Sequence, residues 1–131
     1  MSNIQSLLDL KSLLESSILA LATSSPDGHP NCVAIGCIKV VSPSQLLITD
    51  NFFNKTASNL ASNPFVSLAF WSSDGETGYQ IKGKASYFTS GPWKQAVDED
   101  PNNKNLAHKA AVLVTVTEIW DLATPALIFK K

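Results

Sequence analysis

The sequence predicts a mainly β fold: a small antiparallel β-barrel with six strands and two or three short helices. Six apolar or alternating runs of strand length are separated by turn signals rich in Pro, Gly, Ser and Asn. Most of these runs follow one another as hairpins do, and a single helix-bearing excursion interrupts them. The chain has no internal repeat and no low-complexity segment. This order favours a barrel over a parallel βαβ sheet.

Size and charge limit the function classes. The 131 residues predict one domain over 1–131, with an N-terminal helix over 1–16 and a tail over 121–131. Only 16% of the residues are charged, which favours a homodimer that buries one flank of the barrel. The net charge of −1 argues against a nucleic-acid partner. No apolar run reaches the length of a membrane span, and we expect no signal peptide.

The first part of the chain predicts one helix and two strands. Leucines at helical spacing over residues 3–16, behind Ser2 and Asn3 as caps, indicate an amphipathic helix. Ile18–Thr23 is typical of a buried strand, and Ser25–Gly28 of a hairpin turn. Asn31–Val41 predicts one long strand. Gly36 in its middle indicates a bulge or the close approach of another group to the backbone.

The rest of the chain continues as strands joined by turns and two helices. The predicted strands are Leu46–Thr49, Phe65–Trp71, Gly78–Thr89 and Ala110–Trp120, and the predicted helices follow Asn54 and Ser90-Gly91-Pro92. Alternation in the third of these strands places Tyr79, Ile81, Gly83, Ala85 and Tyr87 on one face. Trp93, Ala96 and Val97 are expected to face the body, and the polar segment Asp98–Asn105 to be a mobile surface loop. Ala126–Phe129 is expected to pack on a partner subunit or to fray.

The start of the middle helix carries the clearest chemical signal. Asn54 is a candidate N-cap, which places Lys55 and Thr56 in the first turn. A lysine there opposes the helix dipole unless an anion docks at the same point. All ten basic residues are lysines, so a phosphate site must rely on lysine, hydroxyls and backbone N–H groups. The structural alternative is a solvated lysine beside an ordinary cap.

The cysteines and histidines give no catalytic or metal constellation. Cys32 and Cys37 are five residues apart on one predicted strand and therefore point to opposite faces, where they are expected to be small buried side chains. Unpaired thiols fit a reduced, cytoplasmic setting. His29 follows the turn glycine and is expected to be exposed, and His108 is the other histidine.

Four pieces of sequence, in order and spacing, carry a family resemblance. They are Ala20-Leu21-Ala22-Thr23 followed by Asp27-Gly28-His29-Pro30-Asn31; Ile48-Thr49; Lys55-Thr56 followed by Asn59-Leu60 and Asn63-Pro64-Phe65-Val66-Ser67-Leu68; and Gly78-Tyr79-Gln80-Ile81-Lys82-Gly83-Lys84-Ala85. Together they resemble the pyridoxamine 5′-phosphate oxidase-like, FMN-binding split-barrel family. The chain is similar in size and pattern to its small FMN-binding members, over about residues 5–120.

The resemblance implies a homodimeric, six-stranded split β-barrel of Greek-key type with FMN in a groove at the subunit interface. It implies that Asn31–Gly36 passes the isoalloxazine ring, that Lys55 and Thr56 hold the phosphate, and that glycines such as Gly36 and Gly83 admit the ring. The positions that match cofactor-binding residues of the family are Asn31, Cys32, Val33, Ala34, Thr49, Asp50, Lys55, Thr56, Asn59 and Gln80.

Differences from the family narrow the expected activity. Pyridoxamine phosphate oxidases use arginines and a further C-terminal portion for their substrate, so we do not expect vitamin B6 oxidation here. The resemblance implies instead a flavoprotein that exchanges electrons with a small reductant or a redox partner protein, as an enzyme or as a carrier. Two alternatives stay open: a barrel of the same shape that binds haem or a deazaflavin, and a carrier or interaction barrel without a redox role.

Overall fold

The computed structural model describes residues 4–130, and strands make up most of its regular structure. The strands are β1 (Leu19–Ser24), β2 (Pro30–Ile35), β3 (Ile38–Ser42), β4 (Gln45–Asp50), β5 (Phe65–Trp71), β6 (Gly78–Phe88), β7 (Ala110–Asp121) and β8 (Ala126–Lys130). The helices are α1 (Lys11–Glu15), α2 (Lys55–Leu60) and α3 (Pro92–Glu99), and short 3-10 turns span Leu7–Leu10 and Pro101–Asn103.

All of the strand pairs are antiparallel, in the order β2-β1-β5-β6-β7-β4-β3, and β8 pairs with β7. The two end strands of this order, β2 and β3, are consecutive in the chain and are joined by Gly36 and Cys37. The sheet therefore curls until its ends are neighbours, but β2 and β3 do not pair. This arrangement confirms the predicted mainly β, antiparallel split barrel.

Within residues 4–130 the structure has eight strands where the sequence predicts six. The single strand predicted over Asn31–Val41 is two strands, because the chain changes partner at Gly36: β2 pairs with β1 and β3 pairs with β4. The tail forms β8, which pairs with the second half of β7 from Glu118 to Asp121. The helix predicted over residues 3–16 is shorter and is divided in two. It is a 3-10 turn capped by the Ser6 side chain, followed by α1, while Ser2 and Asn3 lie outside the described residues.

The core fills the inside of the barrel, and the predicted alternation along β6 is confirmed. Tyr79, Ile81 and Ala85 are buried, whereas Lys82 and Lys84 are exposed. The largest fully buried side chains come from the strands and from the N-terminal segment that covers one end: Phe70, Leu7, Leu14, Leu19, Leu21, Leu46, Ile48, Leu68, Ile81 and Ile119. Each such side chain contributes roughly 1.5–3 kcal/mol through burial.

Two glycines have close neighbours in the structure. A Cβ on Gly83 would lie 2.4 Å from the Thr115 carbonyl oxygen, because the register between β6 and β7 shifts at this residue. Gly83 therefore admits the backbone of β7, not a ligand ring. A Cβ on Gly36 would lie 3.2 Å from Ile18 Cδ1, and Gly36 marks the junction of β2 and β3.

The segment Asp98–Asn105 is anchored rather than a free loop. Asn103 is 2% exposed, and its Nδ2 donates to Thr49 Oγ1 at 3.1 Å and to the Val97 carbonyl at 2.9 Å. On α3, Val97 is buried as predicted, but Ala96 is exposed. Among the described residues, no helix has the length and apolarity needed to cross a membrane.

Candidate functional site

A groove of about 360 Å³ opens where β2 and β3 separate. Such a volume lies within the range of small-molecule sites, roughly 300–1,000 Å³. Its walls are the end of β2, the junction to β3, the end of β4 and the loop that follows β4. The lining residues are Val33, Ala34, Ile35, Gly36, Cys37, Thr49, Asn51, Phe52 and Phe53. We call this the ring groove.

The four candidate residues on β2 alternate between two faces of the strand. Asn31 and Val33 point inward and are half-buried, while Cys32 and Ala34 are exposed. Val33 and Ala34 line the ring groove, and Cys32 lies outside its lining. Cys32 and Cys37 are both free, but the prediction that they are buried on one strand is wrong. Cys32 is exposed, and Cys37 is half-buried at the junction.

Asp50 forms the buried base of the loop that lines the ring groove. Its carboxylate is 0% exposed and accepts hydrogen bonds from the Phe53 N–H at 2.8 Å and from the Tyr87 hydroxyl. Lys109 Nζ lies 3.8 Å from Asp50 Oδ1. The pKa of Tyr87 is raised well above that of a free tyrosine, mainly by burial and also by the hydrogen bond to Asp50. The phenol therefore stays a hydrogen-bond donor. Asp50 is thus fully engaged inside the protein.

The start of α2 presents one uncommitted cation. Lys55 is exposed, and within residues 4–130 its side chain has no hydrogen bond or ion pair. Asn54 occupies the N-cap position, but its side chain makes no capping hydrogen bond, so that prediction is wrong. The backbone of Asn54 has φ −128° and ψ −79°, which is not the extended conformation that N-cap residues usually adopt.

The other polar residues of α2 hold the helix against the barrel. Thr56 is 1% exposed and accepts a hydrogen bond from Asn31 Nδ2 at 3.1 Å. Asn59 is 9% exposed, and its Nδ2 donates to Thr23 Oγ1 at 3.0 Å. These two bonds attach α2 to β2 through Thr56 and to β1 through Asn59. Lys55 is therefore the α2 candidate that faces solvent, and it comes two residues after Phe53 of the ring groove.

Gln80 lies on the outer face of the sheet, away from the ring groove of its own chain. Its side chain is half-buried and donates to Ser67 Oγ at 3.4 Å. The register places Gln80 in a row across four strands with Ala69 on β5, Ala20 on β1 and Ala34 on β2. The small side chains of this row border a recess of about 590 Å³ on the outer face, whose lining includes Ile18, Ala20, Ala34 and Trp71.

A second groove of about 630 Å³ shares Gly36, Cys37 and Thr49 with the ring groove. The other side of this second groove, which we call the acidic groove, is α3 with the turn after it. The hydrogen bond from Asn103 to Thr49 holds that turn in place. Its charged lining consists of Glu15, Glu99 and Asp100 against Lys39.

Two of these carboxylates stay ionised for identifiable reasons. Burial opposes the ionisation of Asp100, but Lys39, 3.0 Å away, and the Asn102 N–H outweigh it and lower its pKa. For Glu15, burial is likewise outweighed by Lys11 and by the Val40 N–H. The acidic groove is thus negative at neutral pH.

Sequence reasoning missed three residues that shape the site: Asn103, Tyr87 and Lys109. Each acts on a predicted residue from more than 35 positions away along the chain, so no local pattern marks it. Neither histidine lines the ring groove. The described residues contain no cluster of three or more His, Cys, Asp or Glu that could hold a metal ion.

Comparison with known proteins identifies the family. The family profile described as pyridoxamine 5′-phosphate oxidase matches residues 9–123, most of the chain. The chain belongs to this family. It is 38% identical over 113 residues to the uncharacterized protein MJ0282 of Methanocaldococcus jannaschii, covering 83% of this chain and 75% of that protein.

Solved structures show the same fold at lower identity. HupZ of Group A Streptococcus superposes with a TM-score of 0.84 at 22% identity, covering 92% of this chain and 96% of HupZ. An FMN-binding protein of Syntrophomonas wolfei gives 0.69 at 17% identity, with coverage of 86% and 82%. A protein named F420 reductase gives 0.62 at 22% identity, with coverage of 82% and 93%. At these identities the similarity shows that the fold is shared.

Proposed function

We propose that this protein binds FMN in the ring groove and uses it for electron or hydride transfer. The observation that carries the proposal is an exposed Lys55 at the first turn of α2, which has no side-chain partner within residues 4–130 and comes two residues after Phe53 of the ligand-sized ring groove. An ammonium and the free N–H groups of a helix start suit a phosphate dianion. When bound, FMN would supply the redox chemistry, and the protein would supply binding, orientation and access.

The candidate residues divide into three roles in this proposal. Lys55 binds the phosphate directly, while Thr56 and Asn59 position the helix that carries it. Val33 and Ala34 offer backbone and apolar contact to the ring, and Thr49 lies at the boundary with the acidic groove. Asp50 acts through the loop that it anchors. Cys32 is a weaker candidate because the ring groove does not include it.

We also propose that the active form is a homodimer, formed through the outer face of the sheet. The row of Ala34, Ala20 and Ala69 beside Gln80 carries only small side chains, and the apolar side chains of Ile18 and Trp71 next to it are 68% and 53% exposed. A second copy would cover these side chains and bring its Gln80 toward a ring groove. This geometry is self-complementary, as a two-fold interface must be.

The acidic groove supports a proposal for the redox partner. It meets the ring groove at Gly36, Cys37 and Thr49, so a small reductant bound there would lie next to the ring. With Lys11 paired to Glu15 and Lys39 paired to Asp100, Glu99 leaves the groove a small negative excess, which favours a neutral or cationic molecule over an anionic one. A redox partner protein is the alternative donor. The two free cysteines accord with a reducing, cytoplasmic compartment, which is part of the proposal.

A deazaflavin is the second candidate ligand, favoured by the structural similarity to the protein named F420 reductase. Haem is less favoured, because His108 Nδ1 contacts Asp98 at 2.8 Å, His29 Nδ1 contacts Asp27 at 3.0 Å, and neither lines the ring groove. A barrel without a redox role would leave Lys55 as an ordinary solvated lysine.

Titration of the purified protein with FMN, riboflavin, a deazaflavin and haemin tests the proposal. We expect FMN to bind in the micromolar range or tighter, with quenched flavin fluorescence, and light scattering to give the mass of a dimer. Preference for the deazaflavin or haemin would replace the cofactor assignment. If none of the four binds, the remaining hypothesis is a carrier or interaction barrel without a redox role. A monomer with full FMN occupancy would remove the interface.

A further inference from the structure

The loop after β4 is held on both sides of a single residue, Phe52. On one side, both backbone polar groups of Phe53 are fixed: its N–H donates to Asp50 Oδ1 at 2.8 Å, and its carbonyl accepts from Lys109 Nζ at 2.6 Å. Asp50 and Lys109 are themselves 3.8 Å apart. One ion pair therefore spans Phe53 and holds its peptide groups in a single orientation.

On the other side, the Asn51 side chain is fixed by two contacts. Its Oδ1 accepts from the His108 N–H at 2.8 Å, and its Nδ2 donates to Cys37 Sγ at 3.5 Å. These contacts tie Asn51 to the segment before β7 and to the junction of β2 and β3. The backbone on both sides of Phe52 is thus anchored to parts of the barrel that are distant in sequence.

Phe52 itself is left in solvent by this rigid loop. Its side chain is 81% exposed, the highest value among the exposed large apolar side chains of residues 4–130, and it lines the ring groove. Because its neighbours on both sides are already held, ordering this segment around a ligand costs less conformational entropy, which favours binding. Aromatic rings also gain from stacked or edge-to-face contact with another flat ring.

We propose that Phe52 is a binding residue for the flat ring of the ligand in the ring groove, and that Asp50, Lys109 and Asn51 position it. The inference rests on the proposed function and deepens it by naming a contact that the family resemblance did not mark. Phe52 covers the ring at the open side of the groove, between the phosphate end at Lys55 and the junction at Cys37. This contact would make the groove select ligands that carry a planar, largely apolar ring.

Substitution at Phe52 tests the proposal, with Phe65 as the matched control. Phe65 is also an exposed phenylalanine, at 61%, but it lies outside the ring groove and contacts Lys84. FMN affinity is measured for wild type, Phe52→Ala, Phe52→Trp and Phe65→Ala by fluorescence titration, with light scattering and visible circular dichroism of the bound flavin. We expect Phe52→Ala to weaken FMN binding about 10- to 100-fold. Phe52→Trp should keep the affinity and quench the flavin further, and Phe65→Ala should match wild type.

The outcomes separate this proposal from the one on which it rests. If wild type binds FMN and Phe52→Ala binds it equally well, Phe52 is not a ring contact, and the proposed function stands. Equal losses in Phe52→Ala and Phe65→Ala would also overturn the assignment. A monomeric Phe52→Ala protein would instead place Phe52 in the contact between subunits. If wild type does not bind FMN, both proposals fail.

Discussion

Replacing Lys55 with methionine should weaken FMN binding while leaving riboflavin binding unchanged. The substitution keeps the aliphatic length of the side chain and removes the charge. A hydrogen bond to a charged group contributes about 1.5–3 kcal/mol. Lys55 is exposed in the free protein, so screening and the ordering of its side chain reduce this to about 1–2 kcal/mol. The expected loss is therefore about 5- to 30-fold in Kd for FMN.

Riboflavin is the internal control because it carries the same ring without the phosphate. Lys104→Met is the control variant, since Lys104 is also exposed and its side chain has no partner within residues 4–130. Both ligands are titrated by flavin fluorescence at low and high salt. The Lys55 effect on FMN should shrink at high salt. Equal weakening of FMN and riboflavin, or no change with either, would refute the reasoning.

Four further predictions follow from the geometry. Thr56→Val should lower the free energy of unfolding by about 1–2 kcal/mol, measured in urea, because it leaves Asn31 Nδ2 without its buried acceptor; no loss would make that bond unimportant. Gly83→Ala should prevent stable folding, seen as a large fall in melting temperature, because its Cβ would lie 2.4 Å from the Thr115 carbonyl; a normal melting curve would contradict the register. Tyr87 has a raised pKa, so its contribution to stability is complete below about pH 10 and lost as the pH rises above it. Tyr87→Phe should therefore flatten the alkaline fall in stability, and an unchanged pH profile would count against the contact with Asp50. Finally, the reduced flavoprotein should react faster with cationic hexaammineruthenium(III) than with anionic ferricyanide, relative to free FMN, in stopped-flow experiments at low salt; the opposite order would exclude access through the acidic groove.

Much of the barrel follows from local patterns. β5 occupies the predicted residues Phe65–Trp71, and β6 and β7 differ from the prediction by a single residue at one end. These strands show clear alternation or dense β-branched content, so the pattern itself defines them. The corrected regions depend instead on tertiary partners. Gly36 marks the irregular position in Asn31–Val41, but the sequence does not show that the strand divides there, because the break is a change of pairing partner.

The candidate site was predictable where chemistry is carried by neighbours in sequence. Lys55 is such a residue, because the helix start and the cation are neighbours in the sequence. The contacts that support the site join residues far apart in the sequence, and no local pattern predicts them. Asn103 lies in a polar segment that resembles a mobile loop, yet its amide is buried against Thr49, which is 54 residues away in the chain. Tyr87 reads as a core residue by alternation alone, and only the structure joins it to Asp50.

The most direct measurement is a crystal structure of the protein grown with saturating FMN. The account predicts a dimer in which the FMN phosphate lies within hydrogen-bond distance of Lys55 Nζ and the flavin ring follows β2 through the ring groove. Flavin bound at another surface, or a Lys55 that contacts only solvent while the ring groove stays empty, would contradict it.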